Sequence, residues 1–439
     1  MSNILPGYIV KKMRLRKDWT REHLLGEANA HTPLDISIQR LEDHIYKPKP
    51  KTLQALFAAL DIDQRVFLPY LDAESTTLYA KADEIRRLLE QDSTPEFVKH
   101  AEEQMAVLET HEGFKEGHNR QLLLSLKVQL YIRLEKPSQE ILPLIREAMR
   151  ITYTNFDEND FDSSLMYLEE PELLHSLALV YAKDGALAPA VALLESIIWG
   201  LANTPIDANT KEKKVTPIQL SLALLLMQTG DYRQAAVTCV DGYHTSCRYD
   251  HGKYVPDFLL NLALCLLKLE DTTHCRSLLQ CAYFGYALLH KKEQANHVLT
   301  TAKDMFGITF ETYGVETLDL LPEPPKPKAY GKPIVCDSIG EFIRQLRVEA
   351  KMTQGELCSG ICSVNNLSKI EKNTITTNIY IMEALMQRLG RHMDLYITLF
   401  PSLEDFKEKE IRDEINTLID LWQFDDAEAL LNPPPPMWG

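Results

Sequence analysis

Apolar residues recur at three-to-four spacing through almost every segment from Glu74 to Phe306, and no run there alternates as a half-buried strand does. The pattern predicts helices only. Ser125-Leu-Lys-Val-Gln, Ser176-Leu-Ala-Leu-Val, Ser221-Leu-Ala-Leu-Leu and Asn261-Leu-Ala-Leu-Cys fall in one register, at intervals of 51, 45 and 40 residues. In two copies Ala178 or Ala223 is followed seven residues on by Gly185 or Gly230, and five further on by Ala190 or Ala235. Small residues on both helices of a pair let the backbones approach, and the glycine supplies the turn. The units therefore read as helical hairpins. A stack of about five would form a right-handed solenoid whose first helices line a concave groove suited to an extended peptide.

Fragments such as TGDYRQAAVTC and KDGALAPAVALLE resemble tetratricopeptide repeats, with longer helices or loops accounting for intervals above about thirty-four residues. The residue before each Leu-x-x triplet is polar: Ser125, Ser176, Ser221 or Asn261. In one reading Asn261, Ser221 and Ser176 line the groove and hydrogen-bond a peptide backbone, the amide of Asn261 being best suited because it both donates and accepts. In the other, small polar residues at this position only tolerate close helix packing.

Both ends depart from the repeat. Ile339-Gly-Glu-Phe-Ile-Arg-Gln-Leu-Arg347 is followed by Met352-Thr-Gln-Gly-Glu-Leu357 and Ser363-Val-Asn-Asn-Leu-Ser-Lys-Ile-Glu371. Thr353 with Glu356 makes a capping box, Gln354 in the first turn can reach a phosphate, Gly360 permits a turn, and Ser363 caps the next helix. Val364, Leu367 and Ile370 are expected to face a core while Asn365, Asn366, Ser368 and Lys369 point outward. Amides that contact base edges beside cations that contact phosphates are what reading a major groove requires. The N-terminal block carries a weaker copy in Ile9–Arg16, Trp19–Leu24 and Ile38–Glu42, with 18 steps from Leu24 to Glu42 against 14 from Leu357 to Glu371. Four extra residues are expected to lengthen the turn before its second helix. That helix would expose Asp35, Ser37, Gln39 and Arg40 with Glu42 and Asp43 behind, acidic groups that repel phosphate unless they are paired.

The C-terminal string TQGELCSGICSVNNLSKIEKN resembles the lambda-repressor-like helix-turn-helix family, in the form found in Rgg/PlcR-type regulators, over some fifty residues. It lacks the trailing Gly-x-x-x-Pro of that pattern, having Asn373 and Thr377 there. The resemblance implies that the helix from Ser363 enters the major groove, with Ser363, Asn365, Asn366, Ser368 and Lys369 on DNA and Arg347, Thr353 and Gln354 along the phosphate backbone. In the N-terminal copy the corresponding candidates are Thr20, Arg21, Ser37, Gln39 and Arg40. With helical repeats between two such blocks, the chain resembles the RRNPP group of peptide-responsive transcriptional regulators (Rgg, PlcR, NprR). That resemblance implies double-stranded DNA and a short signalling peptide as partners, a quorum-sensing role and a homodimer formed through the repeats.

Charge sharpens this division. The whole chain carries −16, which argues against indiscriminate binding to nucleic acid, yet residues 1–60 carry a net +4 and residues 326–400 a net +3. The fold class expected is an all-α, tetratricopeptide-like solenoid flanked by two lambda-repressor-like helix-turn-helix domains. The divisions expected are 1–68 for the first helix-turn-helix domain, 69–320 for the repeats, a proline-rich linker at 321–333, 334–400 for the second helix-turn-helix domain, and 401–432 for a hairpin resembling a truncated repeat. Such a hairpin cannot bury both faces alone. The repeats are expected to hold the two helix-turn-helix domains apart, so that a bound peptide would alter their spacing.

No stretch reaches the eighteen or so apolar residues of a membrane span, and the order of charge and apolar residues in MSNILPGYIVKKMRLR is the reverse of a signal peptide's, so the reading is cytoplasmic. Eight cysteines without a CxxC pair fit free thiols in that compartment, and Cys358 with Cys362 lacks a second ligand pair for zinc. The chain has no P-loop, dinucleotide-binding glycines, G-x-S-x-G or H-E-x-x-H, so neither an enzyme nor a cofactor is expected. The competing reading is a repeat scaffold or adaptor whose terminal domains serve protein contacts.

Overall fold

The computed structural model describes residues 5–312, 339–390 and 403–431, apart from 32–33, 46–47, 49, 63–80, 83, 87, 90–94, 159–160, 162–165, 167–168, 205–207, 250–251, 290, 373, 376–378 and 421–422. Among the described residues every regular element is a helix. The linker at 321–333, the softer joint near 67–69 and the prolines 433–436 lie outside them.

The first helix-turn-helix module is α1 (Pro6–Arg16), α2 (Arg21–His31), α3 (Ile38–Glu42) and α4 (Pro50–Ala59). The repeats supply α5 (Pro95–Thr110), α6 (Gly117–Arg133), α7 (Ser138–Thr152), α8 (Glu170–Lys183), α9 (Leu187–Ala202), α10 (Ala208–Thr229), α11 (Tyr232–Arg248), α12 (Val255–Lys268), α13 (Cys275–Leu288) and α14 (Lys292–Phe306). The second module is α15 (Ile339–Glu349), α16 (Gln354–Cys358), α17 (Val364–Glu371) and α18 (Ile379–Arg388), and α19 (Leu403–Asp420) with α20 (Phe424–Leu431) forms the last hairpin. The fold is thus an all-α helical-repeat array with a helix-turn-helix module on either side of it in the sequence.

The four aligned polar positions all fall in the first helix of a pair: α6, α8, α10 and α12. Gly185 and Gly230 hold the α8–α9 and α10–α11 turns at φ 85° and 86°, a left-handed backbone that glycine enters without penalty. Ala178, Ala190, Ala223 and Ala235 are fully buried, as close helix pairing requires. A still closer approach lies between α11 and α12, where a methyl group on Gly242 would come within 2.3 Å of the Phe258 ring.

Two compact units result. One comprises Met1–Leu173, Pro205–Asp207 and Tyr330–Lys409, the other Leu174–Thr204, Ala208–Ala329 and Glu410–Gly439. In the second unit the closing hairpin buries Ala427, and Arg248 of α11 donates to Glu414 of α19. In the first, a single continuous cluster of buried side chains draws on both helix-turn-helix modules, from Ile9, Leu24, Leu41 and Phe57 to Ile343, Leu357, Leu367 and Met386. The expectation that the repeats hold the modules apart is therefore corrected. A fifty-residue module buries little surface alone, and sharing one core gives each a larger one.

The first module is also fastened to the early repeats by a buried ionic knot. Arg16 Nη1 donates to Glu170 Oε1 at 2.5 Å and to the Thr152 carbonyl at 2.9 Å, while Nη2 donates to Glu170 Oε2 at 2.6 Å. Lys12 Nζ stands 3.8 Å from the same carboxylate, and Arg16 lies over the Tyr153 ring. Gln121 donates to the Thr152 hydroxyl, which donates on to Glu170 at 2.5 Å. Burial alone would push the Glu170 carboxyl up. Arg16, Lys12 and the two hydrogen-bond donors outweigh it and hold the carboxyl below its ordinary 4.5.

Two outcomes follow. Gly242→Ala should destabilise the repeats by about 1–3 kcal/mol, read as a lower urea midpoint. Glu170→Gln strands two buried cations and should cost about 3 kcal/mol. Because the folded-state acidity of Glu170 is depressed, its contribution is complete above pH 4.5 and is lost as pH falls through the lower folded value. The stability difference between wild type and Glu170→Gln should therefore shrink on acidification below pH 4.5, and a pH-independent difference would contradict the assignment.

Candidate nucleic-acid interface

In the second module α16 starts where the sequence places it. Thr353 accepts from the Glu356 amide at 3.2 Å, and the Thr353 amide and hydroxyl both donate to Glu356 Oε2 at 2.7 and 2.8 Å. Those bonds hold the Glu356 carboxyl below its usual range. Gly360 turns the chain at φ 72°, and Ser363 caps α17 by accepting from the Asn366 amide at 3.2 Å. Arg388 of α18 donates to the Leu357 and Ser359 carbonyls at 2.9 and 2.5 Å, satisfying the C-terminal end of α16.

Glu371, at the end of α17, is buried and gathers three donors. Arg347 Nε and Nη2 reach it at 2.6 and 2.9 Å and Gln354 Nε2 at 2.8 Å, while Arg347 Nη1 donates to the Met352 carbonyl at 2.9 Å. The first module repeats this knot. Arg14 Nε and Nη2 reach buried Glu42 at 2.6 and 3.1 Å, Arg14 Nη1 reaches the Trp19 carbonyl at 2.7 Å, and Arg21 Nε reaches Glu42 at 2.8 Å. Each arginine thus ties the last turn of the module's first helix to the end of its third.

This geometry assigns the candidate residues different duties. The forks of Arg347 and Arg21 and the amide of Gln354 are committed to buried carboxylates, so they tie α17 and α3 to the helices before them. Thr353, Ser363, Ser37 and Thr20 act as caps, the last accepting from the His23 amide. Asn365, Asn366 and Lys369 are exposed, as are Gln39 and Arg40, while Ser368 is half-buried. Val364 departs from expectation: it is 49% exposed and belongs to the outward face. Glu42, feared as a charge facing phosphate, is buried and paired, leaving Asp43 exposed. The four extra residues of the first module are not a longer turn alone: α2 has 11 residues against 5 in α16, and α3 has 5 against 8 in α17.

The arginine pairing of Glu42 and Glu371 is absent from the sequence reading, although an arginine in the last turn of one helix and a glutamate ending the third is a signal both blocks carry. In the repeats, Ser176 and Asn261 are buried, as is Ser125, and Ser221 of α10 is half-buried with its hydroxyl 2.8 Å from His175 Nε2 of α8. Of these positions, Ser221 thus meets a neighbouring helix. An open cavity of about 470 Å³ lies elsewhere, between α9, α10 and α11, with Lys211, Glu212, Asp241, His244 and Arg248 on its wall. Its desolvation pushes the Glu212 carboxyl up.

The division of duties is measurable. Arg347→Ala should destabilise the first unit by about 3 kcal/mol because it leaves Glu371 buried without its main partner. Asn366→Ala, at an exposed position, should stay within about 0.5 kcal/mol of wild type in the same chemical denaturation.

No protein-family model matches the chain, and no curated protein matches it either. Among solved structures it is similar to Bacillus thuringiensis PlcR in complex with the peptide PapR7 and DNA, at 15% identity over 67% of this chain and 98% of that one, with a TM-score of 0.38. It is similar to ComR from S. thermophilus in complex with DNA and its signalling peptide ComS, at 14% identity over 69% and 100% of the two chains and a TM-score of 0.39. A third similar structure is a putative kinesin light chain of Podospora anserina with TPR-like repeats, at 16% identity over 49% and 97% and a TM-score of 0.34.

Proposed function

We propose that this chain is a sequence-specific DNA-binding transcriptional regulator controlled by a short peptide bound to its repeats. The observation that carries the DNA reading is the row Asn365, Asn366 and Lys369 on α17. The helix is capped by Ser363 and pinned through Glu371, so its fold makes no demand on these three exposed side chains. Two amides with one cation are suited to base edges with a phosphate beside them. Gln39 and Arg40 occupy the exposed side of α3 in the same way.

The peptide part rests on the repeat architecture and on the RRNPP resemblance in the sequence. Ser176, Ser221 and Asn261 remain its candidate contacts, with Ser221 reached only by displacing His175. Such a regulator works in the cytoplasm with its DNA and needs no catalytic step, cofactor or membrane. A homodimer through the repeats is the assembly the resemblance implies, with one such reading head on each chain. The division of the chain at 69, 321, 334 and 401 belongs to the same reading.

One observation favours the adaptor reading for the first module alone: Lys12 and Arg16 of α1 are spent on Glu170, so this module is built into the repeats as well as the head.

Replacing Asn365 and Asn366 together by alanine should lower affinity for a selected operator roughly 10- to 100-fold in electrophoretic mobility shift, with the melting curve unchanged. Unaltered affinity would sink the DNA reading. Mass spectrometry of protein purified from its host should identify a co-purified short peptide, and adding that peptide should change operator affinity; an operator affinity indifferent to it would sink the peptide control.

A further inference from the structure

The two helix-turn-helix modules share a frame but not a surface. Glu42 lies eight steps before the start of α4, and Glu371 eight steps before the start of α18. Asp61 and Gly390 follow α4 and α18 at the same step, both left-handed at φ 57° and 70°, and Asp18 and Lys351 follow α1 and α15 likewise at 53° and 54°. With the arginine–glutamate knots these matches mark two copies of one unit.

The reading segments have diverged on that frame. α17 has 8 residues and α3 has 5. Along residues 363–372 the exposed charges are Lys369 and Lys372, the carboxylate of Glu371 being buried under Arg347. Along residues 34–43 they are Asp35, Arg40 and Asp43, with Glu42 buried under Arg14. Attraction to phosphate therefore falls on the second module, and the free carboxylates of the first oppose it. The common buried cluster holds both modules in one compact unit, so a single chain carries both surfaces.

We infer that a single chain occupies a bipartite, non-palindromic stretch of double-stranded DNA. One half is read base by base by Asn365 and Asn366 of α17. The adjoining half is held more weakly by Gln39 and Arg40, whose neighbours Asp35 and Asp43 repel phosphate. Symmetric dimers require palindromes because identical copies meet identical half-sites. Two unequal copies on one chain remove that requirement. This inference rests on the proposed DNA reading and specifies the kind of site it takes.

The test is selection of bound sequences from a randomised duplex library with the full chain, then footprinting and native mass spectrometry of the complex. The expected result is one chain per site, two protected segments and sequence information concentrated in one of them. On that site Asn366→Ala should lose tenfold or more in affinity. Gln39→Ala with Arg40→Ala should lose less than about threefold, because the half they hold contributes less to affinity. Asp35→Asn with Asp43→Asn should bind more tightly at low salt, the gain fading as salt rises. A palindrome constrained equally in both halves, two chains on one site, or a loss from the Gln39 and Arg40 changes as large as that from Asn366→Ala would overturn the inference while leaving the DNA reading intact. Absence of any sequence-specific binding would overturn both.

Discussion

Glu170 is entirely removed from water, and it stays ionised in the fold because Arg16 closes on both of its oxygens with Lys12 and Thr152 beside it. A carboxylate in that position is tolerable only with its cations in place, since desolvating an unpaired charge costs far more than one tertiary joint contributes. Glu42 and Glu371 obey the same constraint within their modules. The paired residues are 154, 28 and 24 apart in the chain, so all three knots close tertiary joints and not local turns. One joins a module to the early repeats, and two set the third helix of each module against its first. Without them the third helix of each module would lose its buried tie to the first.

That constraint redistributes the charge of the molecule. The ends are basic by composition, but Arg14, Arg16, Arg21, Lys12 and Arg347 face buried or half-buried carboxylates. Exposed cations along residues 34–43 and 363–372 are few: Arg40 on one module, Lys369 and Lys372 on the other. The net charge of −16 and the pairing of so many basic side chains within the fold leave these two segments with little surplus positive charge.

The repeats follow another rule. Fully buried alanines on both helices of a pair, glycines in left-handed turns and the contact of Gly242 with Phe258 set helix spacing by size, not by charge. Of the polar residues before the Leu-x-x triplets, Ser125, Ser176 and Asn261 are buried, and Ser221 is engaged by His175 of the preceding hairpin. The register of that position was readable from the repeat. Which way it faced was not, because a small polar side chain suits both an open groove and a tight helix contact.

Much of this protein follows from local chemistry written along the chain. Three-to-four periodicity specifies helices, Gly185 and Gly230 specify turns, Thr353 with Glu356 starts α16, and Ser363 starts α17 at the expected residue, because each depends on neighbours within a few positions. Residues that meet only after the chain has folded back were opaque. Arg347 and Gln354 resemble phosphate contacts until Glu371 is brought beneath them, and Glu42 looks repulsive until Arg14 and Arg21 reach it. Val364 completes an apolar pattern, yet no neighbouring element covers it enough to bury it. Two modules at opposite ends of the sequence share one core because small modules gain buried apolar area by joining, and the distance along the chain from Ala59 to Ile339 gives no hint of it.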